Sequence, residues 1–291
     1  MRTVTGISAA QQQECLPPEK KQLYPVLKNE QVSSDSHILT VGLPENRELL
    51  GWEKDIPTCI SVSYYNDEEE KGVLSKSYSP ISHPNQPDWF QLLVKAYPPQ
   101  KGGGVGAYIC SLKEGKTLEA KVKAERKMHS SPHVLGRWKH IGLVAGGTGI
   151  APLYQVLVIL LQAKEECNIH VLSINRKEED ILMKKELDQI AKDHPNVSVT
   201  YSLTGTVDDE SCQQFQLGRG TVDLARKALP DPSLDGVMVL ICGKDGFVEH
   251  WGGKVGRAPP KPDGSKGPKI QGPLLGVLKD AGYSESQVFK Y

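Results

Sequence analysis

The segment Lys76-Ser77-Tyr78-Ser79-Pro80 places a cation, an aromatic ring and two hydroxyls close together. Side chains alternate between the faces of an extended strand, so Lys76 and Tyr78 share one face. Ser77 and Ser79 share the other. A flavin dinucleotide needs these residue types: a cation for its pyrophosphate, a ring that packs on the flavin and a small hydroxyl near N5. A surface strand that ends in a Ser-Pro turn is the plainer interpretation, and the segment alone leaves both open.

A second candidate segment is the glycine-rich turn Gly146-Gly147-Thr148-Gly149. An apolar run at 141–145 predicts a buried strand before it, and an apolar pattern at 151–163 predicts a helix after it. Pro152 lies in the first turn of that helix, where a missing N–H costs little. Backbone N–H groups and the helix dipole at such a junction favour phosphate binding. Tight packing explains the glycines as well, so this alternative also stays open.

A third segment is the glycine run Gly102-Gly103-Gly104-Val105-Gly106, which opens a short helical pattern. Its backbone N–H groups are a second candidate for phosphate binding. A flexible connector would have the same composition. The sequence therefore predicts up to two phosphate sites, one in each half of the chain.

The composition indicates an ordinary globular protein. At 291 residues, the chain is long enough for two domains, each with its own core. Lysine plus arginine equal aspartate plus glutamate at 35 each, so no net field favours nucleic acid or an anionic membrane. The six cysteines form no CxxC pair and no cluster with histidine, which argues against structural zinc and a disulfide scaffold. No apolar run has membrane-spanning length and no secretory signal is recognisable, so we expect an intracellular protein.

The first part of the chain predicts a tail followed by a β-rich domain. Polar residues at 1–23 are typical of a mobile tail. From 24 to 130, short strand patterns are separated by turn clusters, and apolar residues alternate with serines at 60–64. A run at 89–97 predicts a long strand that ends at two prolines. Short strands at this spacing suggest a small all-β barrel.

From 137 to 291 the pattern changes to alternating strands and helices. This alternation predicts an α/β domain with a doubly wound parallel sheet, whose ligands bind at the carboxyl ends of the strands. Ser, Pro and Gly at 130–137 mark the domain boundary, and 252–273 is predicted to be a long insertion without structure. The predicted strands are 141–145, 169–174, 197–203 and 237–242, and the predicted helices are 151–163, 181–192, 221–229 and 273–281.

The order of the motifs is more specific than any single motif. Lys76-Ser77-Tyr78-Ser79-Pro80 comes first, followed by Val94-Lys95-Ala96-Tyr97-Pro98 and the two glycine segments. Asn175-Arg176-Lys177-Glu178 comes next, and Cys242-Gly243-Lys244-Asp245-Gly246 leads to the C-terminal Val288-Phe289-Lys290-Tyr291. This order resembles the NADH–cytochrome b5 reductase branch of the ferredoxin–NADP reductase superfamily.

The resemblance implies an FAD-binding barrel followed by a nicotinamide-nucleotide-binding α/β domain. Hydride would pass from NAD(P)H to flavin N5 in the cleft between them, and electrons would leave singly to a haem protein such as cytochrome b5. Lys76 would bind the FAD pyrophosphate, Tyr78 would pack on the flavin, and Ser79 would hydrogen-bond near N5. The other FAD-binding residues that it implies are Ser77, Leu93, Lys95, Gly104, Val105 and Gly106.

For the nicotinamide nucleotide, the resemblance assigns Gly147, Thr148 and Gly149 to the phosphates. Cys242 and Gly243 would lie beside the nicotinamide ring at the end of a strand. A buried core thiol is the more common role of an isolated cysteine. The resemblance nevertheless implies Ser79 and Cys242 as the catalytic residues, and it implies no metal ligand.

The sequence departs from the family pattern at several positions. Lys76 stands where the family has arginine, and lysine lacks the bidentate guanidinium fork. Gly106 replaces a serine, which removes a hydroxyl donor to phosphate. Val122-Lys123 replaces a Gly-Pro, and Lys244 replaces the proline that follows Cys-Gly. Each loss is expected to weaken FAD binding by about 1 to 3 kcal/mol unless another group compensates.

The nucleotide preference and the acceptor are the least specific predictions. Arg176 and Lys177 lie where cations would bind the 2′-phosphate of NADPH, but acidic residues at 178–180 follow at once and suit a helix start. We therefore expect FAD and NADH, with NADPH as the alternative. Two other functions stay open: a mitochondrial flavoprotein that assists haem attachment to cytochrome c, and a flavin-binding assembly factor without turnover. We expect the mitochondrion or the cytoplasmic face of an internal membrane, with membrane attachment only through a segment outside this sequence.

Overall fold

The computed structural model contains a β-barrel followed by an α/β domain. It describes residues 20–44, 50, 51, 53, 55–65, 72–97, 104–205, 214–260, 262 and 267–291. The predicted tail up to residue 19 and the first two glycines of the run at 102–106 lie outside these residues. Among the described helices, none has both the length and the apolar character needed to cross a bilayer.

Six antiparallel strands form the barrel, in the order β4-β3-β6-β1-β2-β5. An antiparallel bridge between Pro80, just after β4, and Leu92 of β5 joins the two outer strands, so the sheet closes. The short helix α1 (Val105–Ser111) packs Val105 and Ile109 into the barrel core. The strands are β1 (Lys21–Ser33), β2 (Ser36–Gly42), β3 (Ile60–Tyr65), β4 (Val73–Tyr78), β5 (Trp89–Lys95) and β6 (Thr117–Val122).

Two predictions for the barrel are corrected at the strand ends. β1 begins at Lys21, inside the segment predicted as a mobile tail. Lys21 pairs with Lys121 in the ladder, and its Nζ lies 2.7 Å from Glu119 Oε1. Backbone pairing and an ion pair therefore both fix the start of the strand. β5 ends two residues before the predicted position, because the N–H of Ala96 turns to donate to the carbonyl oxygen of Asp35.

The second domain is a parallel sheet with helices on both faces. Its strand order is β10-β9-β8-β7-β11-β14. Helices α2 and α3 pack on one apolar cluster, and helices α4 to α6 pack on another. The strands are β7 (His140–Gly146), β8 (Asn168–Asn175), β9 (Val197–Leu203), β10 (Gln216–Leu217), β11 (Val237–Cys242) and β14 (Val288–Lys290). The helices are α2 (Ile150–Gln162), α3 (Lys184–Asp193), α4 (Val222–Ala228), α5 (Asp245–Gly252) and α6 (Gly276–Asp280).

The α/β domain differs from the predictions mainly in its helices. α3 begins three residues late because Met183 adopts a left-handed conformation, with φ of 60°. α6 is shorter than the predicted helix at 273–281, since Gly276 also has a positive φ of 70°. Helix α5 was not predicted. The insertion at 252–273 is not structureless, because β12 (Gly256–Arg257) and β13 (Lys269–Ile270) pair as an antiparallel hairpin.

The two domains share a packed interface. Ile81 and Leu93 of the barrel are buried in the apolar cluster that α2 forms with the parallel sheet. Gln155 of α2 is fully buried, and its amide hydrogen-bonds to backbone groups of two barrel loops. His133 of the linker lies 2.7 Å from Asp55 of the barrel, measured from Nδ1 to Oδ2. These contacts hold the carboxyl edge of the parallel sheet against one side of the barrel.

Candidate functional site

The carboxyl ends of β7, β11 and β14 meet at the edge of the sheet where the connections diverge. β7 pairs with β8 on one side and with β11 on the other, which makes this edge the topological switch point. Ligands of doubly wound sheets bind at such a point. The turn Gly147–Gly149 follows β7, Cys242 ends β11, and Tyr291 follows β14. The predicted nicotinamide-nucleotide residues therefore lie together.

The three glycines around the first turn have different roles. A Cβ at Gly149 would lie 2.1 Å from the carbonyl oxygen of Cys242, so this glycine allows the turn to pack on the end of β11. A Cβ at Gly146 would lie 2.8 Å from the ring of Phe247. Gly147 has a φ of 54°, and no atom of the described residues lies within 4 Å of its Cβ position. Tight packing thus explains two of the glycines, and Gly147, next to Thr148, is the one open to a ligand.

Cys242 brings a neutral thiol to the same edge. Burial raises the pKa of this thiol to about 11, against the opposing effects of Arg126 and Lys269. The thiol is therefore protonated at neutral pH and is a poor nucleophile. Its place next to the backbone of Gly149 and Gly243 suits packing against a ligand, with at most a weak S–H donor.

The barrel presents the predicted lysine–tyrosine segment at β4. Lys76 and Tyr78 both lie near Tyr97, on one side of the strand. Ser77 and Ser79 both lie beside Cys59, on the other. The observed arrangement follows the predicted alternation, so the cation and the ring share one surface.

The hydroxyl of Tyr78 is buried and has no hydrogen-bond partner within the described residues. Burial raises the pKa of this phenol, so it remains a neutral donor. It points towards α1, 3.7 Å from the position that a Cβ of Gly106 would take. A buried donor without a partner costs free energy unless a ligand supplies an acceptor. The residues of this surface therefore fit a ligand with phosphate or hydroxyl oxygens, as a flavin dinucleotide has.

The glycines before and within α1 meet different requirements. Gly104 has a φ of 98°, a conformation that favours glycine. A Cβ at Gly106 would lie 2.5 Å from the carbonyl oxygen of Lys95, so Gly106 allows α1 to approach β5. Val105 faces the barrel core. The serine that the family pattern places at 106 would collide with the β5 backbone here.

Three of the predicted FAD-binding residues have protein partners. Ser77 Oγ accepts a hydrogen bond from Lys123 Nζ at 3.5 Å. Leu93 is buried in the domain interface, in the cluster that contains Ile81. The ammonium group of Lys95 lies 2.7 Å from a carboxylate oxygen of Asp35. The side chains of Leu93 and Lys95 thus have protein contacts, while the carbonyl oxygen of Lys95 lies beside the Gly106 position that the Tyr78 hydroxyl also approaches.

Sequence reasoning missed four residues of the cleft. Lys244, which follows the Cys242-Gly243 pair, has its Nζ 4.5 Å from the centre of the Tyr97 ring, and Lys76 of the barrel has its Nζ 5.4 Å from the same ring. On the other side of the cleft, the Arg126 guanidinium lies 5.0 Å over the ring of Tyr291. Three of these residues belong to the sequence motifs given above: Tyr97, Lys244 and Tyr291. Their spacing along the chain did not predict the contacts that they make in the fold.

Comparison with protein-family models matches each domain separately. The model described as the oxidoreductase FAD-binding domain matches residues 24–124. The model described as the oxidoreductase NAD-binding domain matches residues 143–251. Together the two models account for the barrel and for most of the parallel sheet.

Curated relatives resemble most of the chain. It is 37% identical over 230 residues to an NADH-cytochrome b5 reductase-like protein of Arabidopsis thaliana, a match that covers 78% of this chain and 63% of that protein. It is 31% identical over 262 residues to NADH-cytochrome b5 reductase 2 of Mycosarcoma maydis, covering 88% of this chain and 68% of that protein. The matched region is therefore less than two thirds of the Arabidopsis protein.

Solved structures share the fold. The cytochrome b5 reductase domain of Ulva prolifera nitrate reductase superposes with a TM-score of 0.73 at 22% identity, covering 95% of this chain and 99% of that one. A ferredoxin NADP+ reductase from Neisseria gonorrhoeae, with bound FAD and NADP, gives a TM-score of 0.66 at 15% identity, covering 94% and 98%. At these identities the likeness concerns the fold alone.

Proposed function

Since the chain belongs to the NADH–cytochrome b5 reductase-like branch of the ferredoxin–NADP reductase superfamily, we propose that it is a flavin-dependent oxidoreductase that takes a hydride from NADH and passes single electrons to a haem protein. The chain carries an FAD-binding and an NAD-binding domain. The observation that supports the proposal best is the convergence of Lys76 and Tyr78 on the barrel with Lys244 at the end of β11, around Tyr97.

The residues of the cleft would bind and orient two dinucleotides. Lys76 and the hydroxyl of Tyr78 offer donors to FAD, and Ser79 lies beside Cys59 on the side of β4 that faces away from them. The open turn at Gly147 offers backbone N–H groups to the phosphates of NADH. Bound FAD would supply hydride acceptance and single-electron release. The contribution of the protein is then proximity, because holding the two rings face to face makes the hydride transfer effectively unimolecular.

The surroundings of Arg176 support NADH over NADPH. Its Nε lies 3.7 Å from a carboxylate oxygen of Asp180, and Lys177 Nζ lies 3.5 Å from Glu179. These are the cations at the end of β8 that could bind a 2′-phosphate. Because each already faces a carboxylate, an added phosphate would meet negative charge as well as positive. The names of the curated relatives support cytochrome b5 or a similar haem protein as the acceptor.

The proposal is tested by a visible absorption spectrum of the purified protein after incubation with FAD. Anaerobic additions of NADH and, separately, NADPH follow. We expect flavin bands that bleach rapidly with NADH and slowly with NADPH, and reduction of cytochrome b5 on its addition. A protein that stays colourless with FAD would contradict the proposal. A bound flavin that NADH does not reduce would also contradict it and would favour an assembly factor without turnover.

A further inference from the structure

Two lysines from different domains approach one aromatic ring. Lys76 lies on β4 of the barrel, and Lys244 lies between β11 and α5 of the α/β domain. Their Nζ atoms are 5.4 Å and 4.5 Å from the centre of the Tyr97 ring. The two ammonium groups are therefore within about 10 Å of each other. Like charges this close repel unless an anion lies between them.

Neither ammonium group has a carboxylate partner within the described residues. Other lysines of the two domains do, since Lys95 pairs with Asp35 and Lys139 pairs with Asp235. Asp245 follows Lys244 directly but forms no ion pair with it in the described part of the chain. The ring of Tyr97 offers the lysines only a weak attraction. The ammonium groups of Lys76 and Lys244 are therefore available to bind an anionic ligand.

A third donor restricts the chemistry of that ligand. The buried hydroxyl of Tyr78 lacks a partner and lies near Tyr97, on the same side of β4 as Lys76. A folded protein partner cannot reach a buried hydroxyl. A small group with several acceptor oxygens and two negative charges suits the two lysines, and one of its oxygens could supply the acceptor that this hydroxyl lacks. A pyrophosphate has that chemistry.

We propose that Lys76 and Lys244 together bind one dinucleotide pyrophosphate across the domain boundary. The proposal rests on the proposed function, because it takes FAD or NADH as the dinucleotide. It also explains why two departures from the family pattern occur together in this chain. A lysine at 76 supplies one point charge where arginine would supply a bidentate fork, and Lys244 supplies the second charge from the opposite domain.

The test measures FAD binding to flavin-free protein, by quenching of flavin fluorescence. We expect Lys76→Met and Lys244→Met each to raise the Kd of FAD about tenfold, the size of one lost charged hydrogen bond. The double variant should lose less than the product of the two effects, because both lysines contact one group. Lys244→Arg should keep most of the affinity. Lys279→Met, an exposed lysine of α6, is the control and should bind FAD like the unchanged protein.

Two further ligands identify the source of the pyrophosphate. Riboflavin lacks any phosphate, so its binding should not respond to either substitution. If the pyrophosphate belongs to the nicotinamide nucleotide, both lysine variants will weaken NADH binding to the FAD-loaded protein and leave FAD binding unchanged. A Lys244→Met protein that binds FAD and NADH like the unchanged protein would overturn the inference. So would a double variant whose loss equals the product of the single losses.

These outcomes are separate from those that test the proposed function. A protein that binds FAD but is not reduced by NADH contradicts the oxidoreductase, while the effect of the lysines on FAD affinity still stands. If NADH reduces the unchanged protein at a normal rate, but Lys244→Met binds both FAD and NADH like the unchanged protein, only the shared pyrophosphate site is overturned.

Discussion

The side-chain oxygen of Gln155 accepts a hydrogen bond from the backbone N–H of Thr58 at 2.8 Å, although the two residues belong to different domains. The amide nitrogen of the same side chain donates to the carbonyl oxygen of Ser82 at 3.4 Å. Gln155 is fully buried, so water cannot replace either bond. One side chain of α2 thereby fixes two barrel loops against the sheet, and with them the two walls of the cleft.

Replacement of Gln155 by leucine should lower the stability of the protein. The change keeps the volume but leaves the Thr58 N–H and the Ser82 carbonyl buried without a partner. We expect a loss of about 1 to 3 kcal/mol in the free energy of unfolding, measured by urea denaturation. Gln189→Leu is the control, because its amide donates to Asp193 on the exposed face of α3, and its effect should stay within about 0.5 kcal/mol. Equal effects of the two substitutions would contradict the role of Gln155.

The glycine turn after β7 gives a second prediction. Gly149→Ala puts a methyl group 2.1 Å from the carbonyl oxygen of Cys242, so the end of β11 must move. We expect the free energy of unfolding to fall by about 1 to 3 kcal/mol and the rate of flavin reduction by NADH to decrease markedly.

The matched control is Gly136→Ala, at an exposed glycine of the segment between the two domains whose φ is also positive, at 65°. No atom of the described residues lies within 4 Å of the new methyl group, and only the positive φ opposes alanine. We expect a cost of about 1 to 2 kcal/mol, with a rate of reduction close to that of the unchanged protein. A Gly149→Ala protein that is reduced as fast as Gly136→Ala would show that the packing of the Gly149 turn on Cys242 does not shape the cleft.

Much of the fold follows from local patterns in the sequence. The strand β9 (Val197–Leu203) and the strand β11 (Val237–Cys242) match the predicted bounds. β11 is a continuous apolar run, which marks a strand covered on both faces, whereas apolar and polar residues alternate in most of β9. α2 lies within one residue of its predicted bounds for a similar reason. The alternation of strands and helices then determines the parallel sheet, and with it the edge where ligands bind.

The rest depends on contacts between distant parts of the chain. Helix α5 is short and contains two glycines, Gly246 and Gly252, so its propensity is low, and the packing of Phe247, Val248 and Trp251 into the core supports it. The meeting of Lys76 with Lys244 at Tyr97 requires both domains in place. The collision at Gly106 involves a backbone carbonyl of another strand. No spacing within a motif carries such information.

The collision at Gly106 changes the expected effect of restoring the family residue. From the motif alone, Gly106→Ser should tighten FAD binding by returning a hydroxyl donor. In this structure its Cβ would lie 2.5 Å from the carbonyl oxygen of Lys95, so α1 must move away from β5. We expect the Kd of FAD to rise several-fold, measured by fluorescence quenching. Ala107→Ser, one residue further along α1, is the control for an added hydroxyl. Tighter binding in Gly106→Ser would mean that α1 adjusts at little cost.

His170 makes the stability of the α/β domain depend on pH. It lies on β8, and its Nδ1 is 3.0 Å from Ser198 Oγ. Burial, and then the neighbouring His140, lower the pKa of its imidazole below the ordinary value of 6.5. The unfolded chain therefore takes up a proton at a higher pH than the folded protein. Stability that is fully present above 6.5 is lost as the pH falls from there through the folded pKa.

We expect the urea midpoint to decrease between about pH 7 and about pH 5, in part because of this residue. His170→Gln keeps a polar partner for Ser198 but cannot titrate, so its midpoint should depend less on pH over the same range. Ser198→Ala removes the hydrogen bond and leaves the imidazole in place, so it should lower the midpoint while the pH dependence persists. If His170→Gln shows the same slope as the unchanged protein, the depressed pKa of His170 is not the cause of the pH dependence.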